Sequence, residues 1–242
     1  SLLLFLPLTG KVILAQQNSS GYPFRNPSLS VESRVNDLVS RMTLQEKADQ
    51  LLYTAPAIPR LGIPAYNWWN EALHGVARSG YATVFPQSIT IANSWDERLM
   101  FNVANAISDE ARAKYNEAIK KGNRTQYMGL TFWTPNINIF RDPRWGRNAE
   151  GAGEDAYLGS RVAEAFVRGY QGDDLSKNNT IMACVKHYAL YGAAEAGRDY
   201  NTTDMSRIRM YESYFPPYKA AVEAGAGSIM SSFNEIDGIP AT

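Results

Sequence analysis

Alternating strand-like and helix-like segments predict an α/β protein with a parallel sheet. Strand-like runs lie at residues 61–69, 130–134, 180–188 and 228–234, and apolar residues recur at helical spacing between them. Strands that alternate with helices in this way usually pair in parallel. The run TIMACVKHY at 180–188 is almost continuously apolar, which is typical of a strand covered on both faces.

A (β/α)8 TIM-like barrel is favoured over an open nucleotide-binding sheet, because neither GxGxxG nor GxxxxGK[ST] occurs in the sequence. In such barrels, function collects where the strands end. Polar residues stand at those points: Glu71, Arg147, Lys186 with His187, and Asn234. Only four strands of the eight are visible, so we interpret the chain as the N-terminal part of a barrel. The alternative is a self-contained half-barrel that pairs with a second copy.

Capping signals predict where the helices begin. The predicted helices start at Ser30, at the capping box Thr43–Glu46, at Asp96 and at Ala156, and the last covers residues 206–224. The predicted ends of the first four are near Ser40, Tyr53, Lys121 and Tyr170. Pro216 and Pro217 should kink or divide the last helix, because proline lacks the N–H that a helix interior requires.

The N-terminal run SLLLFLPLTGKVILAQQ predicts the remnant of a secretory signal peptide at residues 1–15. It is too short to span a bilayer. Residues 16–27 are then a linker, and residues 28–242 are the barrel portion. This division predicts a periplasmic or secreted protein. The alternative interpretation of the run is an ordinary hydrophobic N-terminal strand.

The composition narrows the classes of partner and of chemistry. Lysines and arginines equal aspartates and glutamates at 24 each, so no net field attracts nucleic acid. A single cysteine excludes an internal disulfide, and two histidines make a zinc site improbable. Aromatic residues make up 12% of the chain and offer flat faces on which sugars can stack, although protein cores use them too.

The segment TPNINIFRDPRWGRNAEGAGED at residues 134–155 carries the densest polar chemistry in the chain. A long irregular loop on a rigid scaffold is usually a functional site. Arg147 offers a fixed fork of donors that Glu150, Glu154 or Asp155 could position. With Glu71, Lys186 and His187 it makes a balanced set of donors and acceptors, which suits a sugar better than a phosphate.

These motifs together resemble glycoside hydrolase family 3, the exo-acting β-glucosidases and β-xylosidases. The resemblance covers residues 22–242 and rests on the following segments: EALHG at 71–75, RDPRWGR at 141–147, GED at 153–155, KHY at 186–188 and YNTTDMS at 200–206. It implies a TIM-like barrel followed by an α/β sandwich domain, a retaining mechanism and no cofactor.

The resemblance also assigns roles to residues. It implies that Glu71, Arg147, Lys186 and His187 bind the terminal sugar and that Met230 lines the pocket. Phe233 stands where many members have tyrosine, so one hydroxyl contact is missing. The nucleophilic Asp and the acid/base Glu are expected beyond Thr242, which leaves this chain without the catalytic pair. The alternative function is a sugar-binding or structural half-barrel without catalysis.

The substrate signals of the resemblance point in two directions. Trp68-Trp69-Asn70 before Glu71 is similar to the β-xylosidase and α-arabinofuranosidase branch. The segments at 186–206 and 216–219 are similar to periplasmic β-glucosidases. The segment 189–194 replaces the histidine-containing loop of the N-acetylglucosaminidase branch and excludes it. A glutamate at position 71, one methylene longer than the family's aspartate, should crowd a CH2OH group and favour xylose.

Overall fold

The computed structural model describes residues 21–242. The signal segment at 1–15 and the first part of the linker lie outside the described residues and stay predictions. The chain divides into two units with a boundary between Ala65 and Tyr66, which the sequence interpretation does not contain.

In residues 21–65, the described part of the first unit, there are two α-helices, α1 (Val31–Arg41) and α2 (Leu44–Asp49). Ser30 caps α1, and Thr43 with Glu46 forms the predicted capping box of α2. Helix α2 is shorter than predicted, since it ends well before Tyr53. A small cluster of buried apolar side chains packs this unit: Phe24, Ile58 and Leu61.

The second unit holds the remaining helices and strands. The helices are α3 (Ser88–Ala92), α4 (Glu97–Lys120), α5 (Ala156–Gln171), α6 (Arg207–Arg209) and α7 (Pro216–Glu223). The strands are β1 (Thr131–Phe132), β2 (Met182–Tyr188), β3 (Ser228–Ser231), β4 (Glu235–Ile236) and β5 (Ile239–Pro240). A π-helical turn, Met210–Tyr214, separates α6 from α7, so the last predicted helix is divided before Pro216.

Strands β1, β2 and β3 form a parallel sheet in that order, with α5 and α7 in the connections. This confirms the predicted parallel α/β arrangement. The register of β2 against β3 shifts between Val185 and Tyr188, which is where Lys186 and His187 lie. Strands β4 and β5 form a separate antiparallel hairpin that the sequence interpretation missed.

The strand predicted at residues 61–69 is wrong. Leu61 ends a 3-10 turn, and Ile63 makes only an isolated bridge with Ile58. Further along, Asn70 holds its segment through its side chain, which donates to the Thr131 carbonyl at 2.8 Å and accepts the Gly129 N–H at 2.7 Å. The aromatic residues at 66–69 raised the β propensity, but β propensity reflects side-chain packing rather than backbone pairing.

Helices α4 and α5 are the long helices behind the sheet, and their apolar faces form the main core. They approach closely at Gly169, where a Cβ atom would lie 2.5 Å from the Cβ of Ala104. The predicted N-cap residue Asp96 accepts a backbone N–H at the start of α4, and Asp155, which was not predicted as a cap, does the same at the start of α5. Across residues 21–242, no helix combines the length and the apolar composition needed to cross a membrane.

Candidate functional site

The loop at 134–155 joins β1 to α5, and its four acids have defined partners. Asp142 pairs with Arg144, Glu150 pairs with Arg147, and Glu154 lies 3.6 Å from Arg141. The fourth acid, Asp155, accepts the Leu158 N–H at 2.6 Å and caps α5. Three acids therefore hold arginines and one starts a helix. Of the three candidate partners for Arg147, the structure selects Glu150.

Arg147 is held from two sides. Its Nε and Nη2 atoms donate to the two carboxylate oxygens of Glu150 at 2.9 and 2.7 Å. On the other side, its guanidinium lies 5.3 Å from the ring centroid of Tyr191. Burial lowers the pKa of Arg147, but the hydrogen bonds from the guanidinium to Glu150 and Tyr191 outweigh it and leave the pKa above its usual value. The side chain is therefore a fixed cation.

Lys186 and Glu71 form a second charged pair. The Lys186 Nζ lies 3.6 Å from Glu71 Oε2, and the lysine side chain is only 5% exposed. Burial lowers the pKa of Lys186, while the negative charges of Glu71 and Glu150 oppose that effect. A buried ammonium with one distant carboxylate keeps unused N–H donors, so it can bind a hydroxyl.

Glu71 is positioned by its neighbours. The indole Nε1 of Trp69 donates to Glu71 Oε1 at 2.9 Å, and the Trp69 ring stacks on Trp133 at 4.8 Å. The loop at 71–75 also needs its glycine: Gly75 has φ +132°, and a Cβ atom there would lie 2.2 Å from the carbonyl oxygen of Thr83. The carboxylate of Glu71 is therefore fixed in place before any ligand binds.

His187 is oriented by a buried network from α7 and the loop. Asn138 Oδ1 accepts the His187 backbone N–H at 3.1 Å, and the Tyr218 hydroxyl donates to the His187 carbonyl oxygen at 2.6 Å. The Asn138 amide nitrogen then donates to His187 Nδ1 at 2.9 Å. Because Nδ1 accepts, a neutral imidazole must carry its proton on Nε2.

The imidazole of His187 is neutral. Burial, followed by the positive charges of Lys186 and Arg147, lowers the pKa of His187 to about 2. Its Nε2 lies 3.5 Å from Arg147 Nη2, so the protonated nitrogen is on the side of the guanidinium. His187 therefore adds a neutral donor beside two cationic ones.

The paired side chains open into one pocket of about 400 Å³. Glu71, Arg147, Glu150 and Lys186 line it, so the structure brings three of the predicted site residues together on one wall. His187 joins them through Arg147 rather than as a lining residue. Met230 lies on β3, partly exposed and outside the lining of this pocket, and its predicted role stays a prediction.

The sequence interpretation missed the aromatic network behind Arg147. Tyr191 is fully buried and donates its hydroxyl to Asp199, which also accepts the Trp145 indole N–H at 3.0 Å. Phe233 lies 5.1 Å from the His187 ring and 5.2 Å from the Tyr191 ring. In place of the hydroxyl that it lacks, Phe233 thus supplies a ring to the cluster that holds His187.

The pocket is lined by groups that can form hydrogen bonds to hydroxyl groups. Two carboxylate acceptors, Glu71 and Glu150, line it together with the donors of Lys186 and Arg147 and with the Trp69 ring. His187 contacts Arg147 without lining the pocket. Within the part of the chain that the structure describes, no group of three or more His, Cys, Asp or Glu side chains could hold a metal ion.

A parallel β/α unit with a pocket of this kind at its strand ends is the arrangement predicted for the N-terminal part of a TIM-like barrel. The model of the glycosyl hydrolase family 3 N-terminal domain matches residues 33–242. The chain belongs to glycosyl hydrolase family 3.

Known relatives show what the chain is similar to. It is 44% identical over 239 residues to an Arabidopsis thaliana protein named "Probable beta-D-xylosidase 7", covering 90% of this chain and 30% of that protein. A GH3 exo-β-xylosidase in complex with a xylobiose aziridine activity-based probe superposes with a TM-score of 0.81 at 33% identity, over 92% of this chain and 29% of the other. Listeria innocua β-glucosidase in complex with isofagomine gives a TM-score of 0.72 at 35% identity, over 88% and 33%. The chain thus spans about 30% of the length of the curated relative, in the N-terminal domain.

Proposed function

We propose that this chain carries the sugar-binding wall of a retaining, exo-acting β-glycosidase that releases a terminal β-linked xylose or glucose. The observation that supports it is the convergence of Glu71, Arg147 and Lys186 on one pocket from three separate parts of the chain. A carboxylate acceptor flanked by fixed cationic donors suits a ligand with several adjacent hydroxyls. The similarity to a β-xylosidase and a β-glucosidase supports the same class of substrate.

Xylose is the sugar that we propose first. The carboxylate of Glu71 is held by the Trp69 indole and faces Lys186, so it cannot swing away to admit an extra CH2OH group without losing both contacts. The chain superposes better on the exo-β-xylosidase than on the β-glucosidase, with TM-scores of 0.81 and 0.72, at similar sequence identities of 33% and 35%. The better superposition supports this order.

The catalytic carboxylates are proposed to lie outside these 242 residues. Retention requires two carboxyl groups about 5 to 5.5 Å apart, one of them ready to attack and the other to donate a proton. The two carboxylates that line the pocket, Glu71 and Glu150, are each committed to a cation. Burial raises the pKa of Glu150, but the hydrogen bonds and charge of Arg147 outweigh it and leave the pKa below its usual value, which does not suit a proton donor.

The test is kinetic and uses the full-length enzyme. We expect kcat/KM for an aryl β-xyloside to exceed that for the matched β-glucoside by roughly tenfold, because one badly placed CH2 group typically changes discrimination by about 1–3 kcal/mol. Glu71→Asp should lower that ratio by shortening the side chain. Residues 1–242 alone should hydrolyse neither substrate.

Each part of the proposed function can be contradicted by a different result. A glucoside preference in the full-length enzyme would contradict the choice of xylose. Saturable hydrolysis by purified residues 1–242 would contradict the placement of the catalytic pair. A full-length enzyme that binds xylose but hydrolyses no β-glycoside would favour the non-catalytic sugar-binding alternative.

A further inference from the structure

A continuous series of contacts leads from the carboxylate of Glu71 to the pocket rim. Trp69, which donates to Glu71, meets the Tyr127 ring edge-on at 6.5 Å between centroids. The guanidinium of Arg78 lies 5.8 Å from the centroid of Tyr127. All four residues line the same pocket. Arg78 is exposed and Lys186 is buried, so this wall runs from the floor of the pocket to solvent.

The backbone fixes the position of Arg78 relative to Glu71. The N–H of Ala77 donates to the Glu71 carbonyl at 2.9 Å, and Arg78 follows directly. Arg78 itself has φ +59°, a left-handed conformation that is uncommon for a residue with a side chain. Such strain persists only where the surroundings hold it, and it is often found at ligand sites.

The charges of the pocket do not balance at this end. Lys186 faces Glu71 and Arg147 is bonded to Glu150, so each of these cations has a carboxylate. Between residues 21 and 242, Arg78 has no ion pair with any Asp or Glu. The Arg78 guanidinium carbon lies over the Tyr127 ring, and this cation–π contact does not use up the N–H donors of the guanidinium.

We propose that Arg78 and Tyr127 form a rim subsite for a carboxylate carried by the leaving part of the substrate, such as a uronic acid attached next to the terminal sugar. The proposal rests on the proposed function, since it assumes that the terminal sugar occupies the floor beside Glu71. An arginine fork binds a carboxylate through two parallel N–H donors. Tyr127 supports the guanidinium from one face while the N–H edge meets the ligand.

A matched pair of substrates tests the charge alone. The full-length enzyme is assayed with 4-carboxyphenyl and 4-carbamoylphenyl β-xyloside, which differ in charge but hardly in shape. We expect wild-type kcat/KM to favour the carboxylate roughly fivefold, mainly through KM, and the preference to shrink as salt screens the exposed pair. Arg78→Gln should abolish the preference, because kcat/KM falls more for the carboxylate substrate than for the carbamoyl substrate. Arg98→Gln, which removes another exposed arginine, is the matched control and should change neither value.

A binding measurement separates this proposal from the proposed function. Glucuronate binding is followed calorimetrically in the wild type and in Arg78→Gln, with xylose as the neutral ligand. Weaker glucuronate binding in the variant, with unchanged xylose binding, supports the subsite even if neither aryl xyloside is hydrolysed. Equal hydrolysis of both xylosides by the wild type, or glucuronate binding that ignores Arg78, overturns the subsite while leaving the glycosidase proposal intact.

Discussion

Two arginines in one loop make nearly the same contact in different surroundings. Arg144 donates through Nε and Nη2 to Asp142 at 2.9 and 2.6 Å, and Arg147 donates through the same atoms to Glu150 at 2.9 and 2.7 Å. The Arg144 side chain is 68% exposed, whereas that of Arg147 is 21% exposed. The local motif is therefore alike, and the difference lies in what surrounds it.

The surroundings decide what each ion pair can do. Water competes for Arg144, and an exposed pair typically stabilises a protein by no more than about 1 kcal/mol. Arg147 has lost most of its water, so losing its partner would leave a partly buried charge. It also contacts Tyr191 and His187, which lie 44 and 40 positions further along the chain. Arg147 thus connects the loop to β2, while Arg144 shapes the loop alone.

Arg147→Ala in the full-length enzyme is the substitution with the largest expected effect, and it tests the difference between Arg147 and Arg144. Truncating one member of a desolvated, hydrogen-bonded charge pair costs about 2–5 kcal/mol. We therefore expect kcat/KM on an aryl β-xyloside to fall by roughly a hundredfold or more. Arg147→Lys should not restore it, because an ammonium lacks the planar fork that Glu150 binds.

Arg144→Ala is the matched control for that experiment. It removes the same functional group from the same loop, yet we expect kcat/KM to stay within about twofold, since the lost pair is exposed. Equal losses in the two variants would show that the loop as a whole, rather than the burial of Arg147, determines activity.

An intermediate effect should follow from Asp199, which lies behind Tyr191. Its carboxylate accepts the Tyr191 hydroxyl and the Trp145 indole N–H, and Tyr191 packs against Arg147. Asp199 is thus a positioning residue. We expect Asp199→Ala to lower kcat/KM by about tenfold through a higher KM, and Asp199→Asn to recover most of the loss because its amide oxygen still accepts a hydrogen bond. An unchanged KM, or no difference between the two variants, would mean that Asp199 does not act through Tyr191.

The sequence predicted local structure better than contacts between distant parts of the chain. Parallel strands, the capping residues at Ser30, Thr43 and Asp96, and the polar groups at strand ends followed from local pattern. The pairing of Arg147 with Glu150 was also within reach, since the two are three residues apart. Local rules work where the partner lies within one turn of chain.

Tertiary contacts between residues far apart in the sequence could not be predicted. Asp199 reaches Trp145 across 54 positions, and nothing in the intervening sequence encodes that register. Tyr127 and Arg78 meet for the same reason, through tertiary packing of two loops. The strand predicted at 61–69 failed for the opposite reason. The local β propensity was present, but in the described part of the chain no neighbouring strand pairs with this segment.

The smallest expected effect is a dependence of stability on pH that comes from His187, which lies beside the half-buried Arg147. His187 has a native pKa of about 2, lowered by burial and by the charges of Lys186 and Arg147, against a usual value of 6.5. Below pH 6.5 the unfolded chain binds a proton that the native protein rejects, so stability falls as pH falls. Between pH 7.0 and 5.5 this amounts to about 1 kcal/mol, since one full unit of pKa corresponds to about 1.4 kcal/mol. Carboxylates whose pKa is lowered, such as Glu150, contribute only at more acidic pH.

Urea unfolding of the wild type and of His187→Gln at the two pH values measures this effect. The variant should lose about 1 kcal/mol less stability between pH 7.0 and 5.5 than the wild type, whatever its absolute stability. His74→Gln serves as the control, because it removes the other histidine of this chain, which lines the pocket, and leaves the His187 network intact. If the difference instead follows His74, or if His187→Gln keeps the full pH dependence, His187 is protonated in the native protein and the neutral Nε2–H donor beside Arg147 is wrong.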